Sequence, residues 1–376
     1  MKKIAIIGAG AAGLFAAKML SADIHLSITV FEKAQKVGTK LRASGGGRAN
    51  LMNTHIDGSS YNHPDFIDNL LKKVDYEVIK HEFEKMGLRL SIDEEGRVYP
   101  ATLFSQTVID VLLHNLGDNV QIITDFEVKK PQKTKGKWQI NNEKTLYDAI
   151  LMASGSPAGM IAKNRQSYNG YLSDLKLIEK NTVPSLVGFK LKKYPKELSG
   201  CRARAAVTLW QNGKAVYTET GEVMFKDDGI SGIVVLNVSA YYNRLKTKEN
   251  CSLSLNFLFD DDHLDVSAYL KKFGDFSGLL HPKLNRLYQK KPFDLRNFQM
   301  EIASVYDMEF AQVCHGGIAL EEVDDTFALR RHPHLYAVGE MLDIDGICGG
   351  YNLFFAFASA YCASKAILRN SQLNVK

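Results

Sequence analysis

Ile4-Ala5-Ile6-Ile7-Gly8-Ala9-Gly10-Ala11-Ala12-Gly13 is the stretch that decides the fold. The apolar run Lys3–Gly8 is what a strand buried on both faces of a parallel sheet requires. The glycines follow as G-x-G-x-x-G, and Ala11–Leu20 continues with small and apolar residues at helical spacing. In such a unit Gly8 permits the tight turn, Gly10 lets the backbone approach a diphosphate, and Gly13 lets helix and strand pack closely. The helix start at Ala11 and Ala12 supplies unpaired N–H groups and a positive field. A second apolar strand, Ser27–Phe31, ends at Glu32, nineteen residues past Gly13. A carboxylate there accepts the ribose hydroxyls of an ADP moiety and repels a 2′-phosphate. The glycine pattern alone is weak; strand, turn, helix, second strand and acid together carry the reading.

Three further stretches point to FAD rather than NAD. Gly38–Asn50 reads G-T-K-L-R-A-S-G-G-G-R-A-N. Lys40, Arg42 and Arg48 offer positive charge, and Gly45-Gly46-Gly47, after Ser44, let the backbone press against a planar ligand or a diphosphate. Ile150–Gly155 returns a strand and a Ser-Gly turn to the sheet. Leu335–Glu340 is a strand that delivers Gly339 and Glu340, followed by Gly346–Asn352 and a helix over Leu353–Leu368. A carboxylate there suits ribityl hydroxyls, and the helix start stabilises negative charge on a reduced flavin. A nicotinamide enzyme needs no such C-terminal element in its cofactor domain.

Between these ends the pattern changes twice. Asn62–Gly87 and Thr102–Leu116 read as helices. Val120–Val128 and Trp138–Tyr147 read as paired strands around the polar Lys133–Lys137 turn. Past Pro184, Arg204–Trp210 and Lys214–Thr220 alternate around Asn212-Gly213, a strong hairpin signal. Val223–Phe225 and Ile233–Val238 read as further strands. Val266–Phe273, Lys283–Gln289 and Leu295–Ala303 read as helices. The acidic triplet Asp260-Asp261-Asp262 reads as a solvated turn with a helix cap rather than a metal site. The expected fold class is α/β, with a Rossmann-like, mostly parallel FAD-binding domain formed by residues 1–184 and 314–376. A β-rich insertion at 185–259 and a small helical domain at 260–313 are expected between them.

The chain has 376 residues, of which 45% are hydrophobic and 24% charged, a balance that excludes disorder and a coiled coil. The net charge of +5 suits an anionic ligand but falls short of a dedicated nucleic-acid binder. Five cysteines, Cys201, Cys251, Cys314, Cys348 and Cys362, are widely spaced, with no metal-ligand spacing, so neither a metal nor a disulfide framework is expected. Met1-Lys2-Lys3 before an apolar run looks like a signal peptide, but glycines break the run and a second strand follows. No stretch is apolar enough to span a membrane. A cytoplasmic location is expected.

The sequence resembles the BaiN-like (YhiN-type) family of FAD-dependent oxidoreductases, within the two-dinucleotide-binding-domain flavoproteins. The residues carrying the resemblance are Gly8–Gly13, Glu32, Ser44–Asn50, Gly229-Ile230-Ser231-Gly232, Gly316-Gly317-Ile318, Gly339-Glu340 and Gly349-Gly350-Tyr351-Asn352. It spans nearly the whole chain. It implies bound FAD, a Rossmann-like domain, a β-rich middle domain and a small helical one. It also implies reduction of a conjugated enone in a steroid-like acid. The sequence departs from the family pattern at Ala49, usually Cys, at Ile233, often Pro, at Asp227-Asp228 and at Phe327–Arg330; none of these touches the FAD fingerprint.

The expected cofactor-binding set adds Lys33, Val128, Ala153, Ser154, Gly155 and Asp345 to the residues above, with Gly350, Tyr351 and Asn352 at the last turn. Reactive candidates are His315, as a proton donor to a carbonyl, Tyr351 and Cys348. Ser154–Gly159 is not a second dinucleotide fingerprint, so NADH or NADPH is expected to visit the open flavin face as a transient reductant of a small-molecule substrate. Two alternatives differ in class. One is a flavoprotein that binds or modifies tRNA, which the basic residues Lys190, Lys192, Lys193, Lys196, Arg202 and Arg204 permit; a solvated strand face is preferred for them. The other is a non-catalytic flavin-binding protein.

Overall fold

Strand β1 (Lys2–Ile7) lies at the centre of a five-stranded parallel sheet in the computed structural model. On one side are β2 (Leu26–Phe31) and β3 (Val120–Ile123); on the other are β4 (Ala149–Met152) and the Leu335–Ala337 strand. All neighbours run parallel, with Ile4 opposite Ile28 and Ala149. Ile4–Ile7 are buried throughout, which is why this strand is an unbroken apolar run. Strand order reverses at β1, so its C-terminal end, where Gly8 sits, is the topological switch point at which open α/β sheets bind ligands.

The structure describes residues 1–129, 131–160 and 172–373. They form two units: one of residues 1–157, 172–182 and 316 onward, the other of residues 158–160 and 183–315. The α/β class with an inserted β-rich part is as expected. In the first unit the helix Ala11–Leu20 packs against the C-terminal helix Tyr351–Leu373. Phe15 lies 5.3 Å from Phe357, and Phe83 lies 5.5 and 4.9 Å from the two, ring centre to ring centre. The region read as one helix over 62–87 is two, Pro64–Leu71 and Tyr76–Lys85, because Asp75 caps the second by accepting Val78 N–H at 3.0 Å. The expected pairing of Val120–Val128 with Trp138–Tyr147 does not form. The former supplies β3 to the parallel sheet, and Trp138 sits in a separate meander of Pro131–Thr134, Lys137–Ile140 and Leu146–Tyr147.

The second unit is a closed antiparallel barrel. Its strands are β5 (Phe189–Leu191), β6 (Arg202–Gln211), β7 (Lys214–Phe225), β8 (Gly229–Ser231), β9 (Cys251–Asn256) and β10 (Phe298–Val305), in the order β5-β8-β7-β6-β9-β10. The Asn212-Gly213 hairpin forms as read, with both residues at positive φ and Gln211 opposite Lys214. Two readings are overturned here. Ile233–Val238 begins a helix, Ile233–Arg244, that buries Val234, Val235 and Val238. A Cβ on Gly221 of β7 would lie 2.5 Å from Val234 Cγ1, so that glycine makes room for the helix. Leu295–Ala303 is not a helix, because Phe298–Val305 closes the barrel against β5 and β9. In both, burial against the barrel outweighs local propensity. The helices Val266–Phe273 and Pro282–Lys290 belong to this same unit, and Asp265, not the 260–262 triplet, caps the first of them.

Candidate dinucleotide site

The first helix starts directly on the end of β1. A Cβ on Gly13 would fall 1.9 Å from Gly8 O, so no larger residue lets the helix sit there. Above Gly10 the opposite holds: among the described residues a Cβ there would meet nothing within 4 Å. No side chain caps this helix, and its first turn, with Ala11 and Ala12, holds no acidic residue. Its first N–H groups therefore lack a side-chain cap and give the helix start a positive field.

Glu32, at the end of β2, is already in place beside that turn. Its Oε2 accepts Ala9 N–H and its Oε1 accepts Ala34 N–H, both at 2.8 Å. Each oxygen keeps a lone pair for a ribose hydroxyl. Lys33 follows it at the surface. Val128 is buried nearby, two residues past Phe126, whose N–H donates to Glu32 O at 2.9 Å. Ala153 N–H donates to Ile7 O at 2.8 Å and leads into Ser154 and Gly155 beside Gly8.

Other expected residues are drawn in from far along the chain. Lys40 Nζ donates to Glu340 Oε2 at 2.6 Å, across 300 residues. Ser156 Oγ donates to Glu340 Oε1 at 2.7 Å, a buried serine that the sequence reading passed over. Gly339 approaches the helix start, since a Cβ there would lie 3.3 Å from Ala12 Cβ. Its N–H donates to the buried Ser359 Oγ at 3.0 Å, another unforeseen partner. Arg42 turns instead to Gln106 Oε1, at 2.8 Å. Arg48 is exposed, and its guanidinium makes no hydrogen bond or ion pair among the described residues. Ser44–Gly47 form one tight turn in which Gly45 and Gly46 have left-handed backbone. Ala49 is left-handed too (φ 56°) and fully buried, held by its N–H on Ser44 O at 3.1 Å.

The last turn is laced by side chains. Asn50, with its amide oxygen toward Gly350 N–H, accepts it at 3.2 Å and donates to Met52 O at 3.2 Å. Asn53 donates to Gly349 O at 3.1 Å. Asn352 does not face outward: it accepts Gly346 N–H and donates to Gly346 O, both at 2.9 Å. Tyr351 is buried against Tyr61, edge to face at 5.9 Å, and its carbonyl accepts Tyr61 O–H at 2.8 Å. Cys348 lies half-buried between them in the chain, and Asp345 is fully buried. His315 is the final residue of the second unit, half-buried on the strand that leads back to the first.

Residues 60–63 zip along 343–347. Ile347 N–H donates to Ser60 O and Asn62 N–H to Asp345 O, both at 3.0 Å, and Asn62 Oδ1 accepts Asp345 N–H at 2.9 Å. At the end of this zipper Asp343 is buried among donors: His63 Nε2 at 3.0 Å, Lys180 Nζ at 2.8 Å, Gly316 N–H at 3.1 Å and Asn62 Nδ2 at 3.2 Å. Burial alone would raise its carboxyl, but the bonds from His63 and Lys180 outweigh it and hold Asp343 below the usual carboxylate range. No motif flags His63, Lys180 or Asn62 in the sequence.

The chain is similar along nearly its whole length to known proteins. A 3-dehydro-bile acid delta(4,6)-reductase of Clostridium scindens is 29% identical over 405 residues, covering 97% of this chain and 99% of its own. A ribosomal RNA dihydrouridine synthase of Haemophilus influenzae is 26% identical over 413 residues, covering 97% and 98%. Among solved structures, 3-ketosteroid delta1-dehydrogenase from Sterolibacterium denitrificans, in complex with 1,4-androstadiene-3,17-dione, shares the fold. Its TM-score is 0.52 at 11% identity, over 98% of this chain and 100% of that one. The family described as HI0933-like protein Rossmann domain matches residues 2–366. That match bears out the family resemblance read from the sequence, and the chain belongs to the HI0933-like Rossmann-domain family.

Proposed function

We propose that this protein is an FAD-dependent oxidoreductase that adds hydride and a proton across a carbon–carbon double bond conjugated with a carbonyl, using NADH or NADPH as reductant. The observation that carries the reading is the open helix start over Gly10, flanked by the pre-placed Glu32 carboxylate. Gly8, Gly10, Ala11, Ala12 and Gly13 would hold the diphosphate, and Glu32 the adenosine ribose, with Lys33, Val128, Ala153, Ser154 and Gly155 around them. Lys40, Glu340 and Asp345 would serve the ribityl chain. Gly45–Gly47, Arg48, Asn50 and Gly350 would meet the ring system. Bound FAD supplies two-electron hydride chemistry. His315, Tyr351 and Cys348 are the side chains proposed to approach the substrate.

The reaction class draws on the relatives' names. A delta(4,6)-reductase of a 3-dehydro bile acid and a dihydrouridine synthase both saturate a carbon–carbon bond conjugated with a carbonyl. The purified protein is expected to carry or take up FAD, and anaerobic NADH or NADPH should bleach its visible flavin band. A conjugated enone should then restore that band. No FAD uptake, or no bleaching with either nucleotide, overturns the corresponding part of the reading.

A second reading, action on a uracil in RNA, has its own support. Lys192, Lys193 and Lys196 pair with no acid among the described residues, whereas Lys190 pairs with Asp307 and Arg202 with Glu222. Filter retention of a tRNA or rRNA transcript that falls steeply with salt favours it, and retention without a salt slope removes it.

A further inference from the structure

Saturating a conjugated double bond consumes a proton as well as a hydride, and the structure holds a further candidate carrier besides the three side chains above. Asp343 is held in its charged form, so it only accepts hydrogen bonds. His63 Nε2 must therefore carry the hydrogen between them, at 3.0 Å, which leaves Nδ1 as the other end of the ring. Among the described residues nothing bonds to Nδ1, and the His63 side chain is 32% exposed against 3% for Asp343. The carboxylate is itself fixed by Lys180, Asn62 and Gly316 N–H. An imidazole oriented on one nitrogen by a fixed carboxylate and open on the other is the usual build of an acid–base catalyst. Among the described residues, the charged groups facing it are Asp343 and, across that, Lys180, which Glu321 faces in turn. His63 ends the segment that zips along 343–347, the stretch of chain leading into the last turn, whose Gly350 is proposed to meet the ring system.

We propose that His63 is the proton donor to the substrate, positioned by Asp343; the proposal rests on the reductase reading above. Bound reduced FAD would supply a hydride to the β-carbon of the conjugated double bond, and the π pair would then shift to the α-carbon. That carbon takes the proton from His63 Nδ1. The substrate gains one hydride and one proton, and His63 is left neutral with its Nε2–H still on Asp343. Solvent returns the proton to Nδ1.

The test has two arms. In the apoprotein, diethyl pyrocarbonate followed by peptide mass mapping should label His63, because labelling needs the open nitrogen and no cofactor. In the FAD-loaded, photoreduced protein, 2-cyclohexenone should reoxidise the flavin at a rate that falls as pH rises. His63→Gln should slow this at least 100-fold and flatten the pH dependence, while FAD affinity and photoreduction stay unchanged. Asp343→Asn should slow it about 10-fold and move the pH dependence to lower pH. An unlabelled His63, or a His63→Gln variant within threefold of wild type across the pH range, overturns the proposal. A wild-type protein that takes up no FAD, or leaves the enone untouched, overturns the underlying function instead, while labelling of His63 is still read.

Discussion

The turn after β1 and the turn before the C-terminal helix both present a helix start, but they are held by different means. The first is almost all backbone: Gly13 against Gly8 O, with one outside side chain, Glu32, on Ala9 N–H. The second is fastened by side chains from elsewhere, with Asn50, Asn53 and Tyr61 on Gly350, Gly349 and Tyr351 and the 60–63 zipper behind them. A turn made from its own backbone is specified by the few residues in it. A turn made from distant side chains is specified by the whole fold, and it tolerates the loss of any one fastening better.

Substitutions can break this contrast. The largest effect is expected at Gly13→Val, whose Cβ would collide with Gly8 O; stability should fall by about 3 kcal/mol or more in urea unfolding. A smaller effect is expected at Asp343→Asn, about 2 kcal/mol at neutral pH, because Lys180 and His63 are partly exposed and can turn to water. The folded carboxyl of Asp343 lies below its unfolded value of about 3.9. Its contribution is therefore complete above that value and lost as pH falls through the folded one. The wild-type advantage over Asp343→Asn should shrink below about pH 4, and an advantage that is constant with pH would show that the charge does not matter. The smallest effect is expected at Gly10→Ala. With nothing among the described residues within 4 Å of the new Cβ, stability of the apoprotein should change by no more than about 0.5 kcal/mol. FAD affinity should nonetheless drop at least tenfold. A stability loss there as large as at Gly13 would mean the space over Gly10 is closed.

The same contrast explains what could be read in advance. Gly8–Gly13, β1, β2 and Glu32 all lie within about thirty residues of sequence, and each carries a local signature in glycine spacing or apolar runs. The Asn212-Gly213 hairpin was legible for the same reason. The helix at Ile233–Arg244 was not, since its β-branched residues look like a strand until Gly221 and the barrel wall are placed under them. Leu295–Ala303 looked helical until β5 and β9 supplied strand partners for Phe298–Val305. In the site, Lys40 and Glu340 were each anticipated, but their meeting was not, and neither was Ser156 between them. His63 shows the limit most plainly. A histidine before a proline carries no signal by itself, and its meaning comes from Asp343, 280 residues later.

The strand order has a consequence for how the protein is made. β1 leaves the ribosome some three hundred residues before the segments that complete its surroundings: its β4 side is extended by Leu335–Ala337, and the helix that follows it packs against Tyr351–Leu373. At about 5–20 residues per second, the 300 residues separating Lys40 from Glu340 take roughly 15–60 s to synthesise. Through that interval the apolar edge of the nascent sheet and the Phe15 face of its first helix have no permanent cover. A polypeptide stalled or cleaved within the barrel would keep both exposed, which makes it a natural client for chaperones and a seed for aggregation.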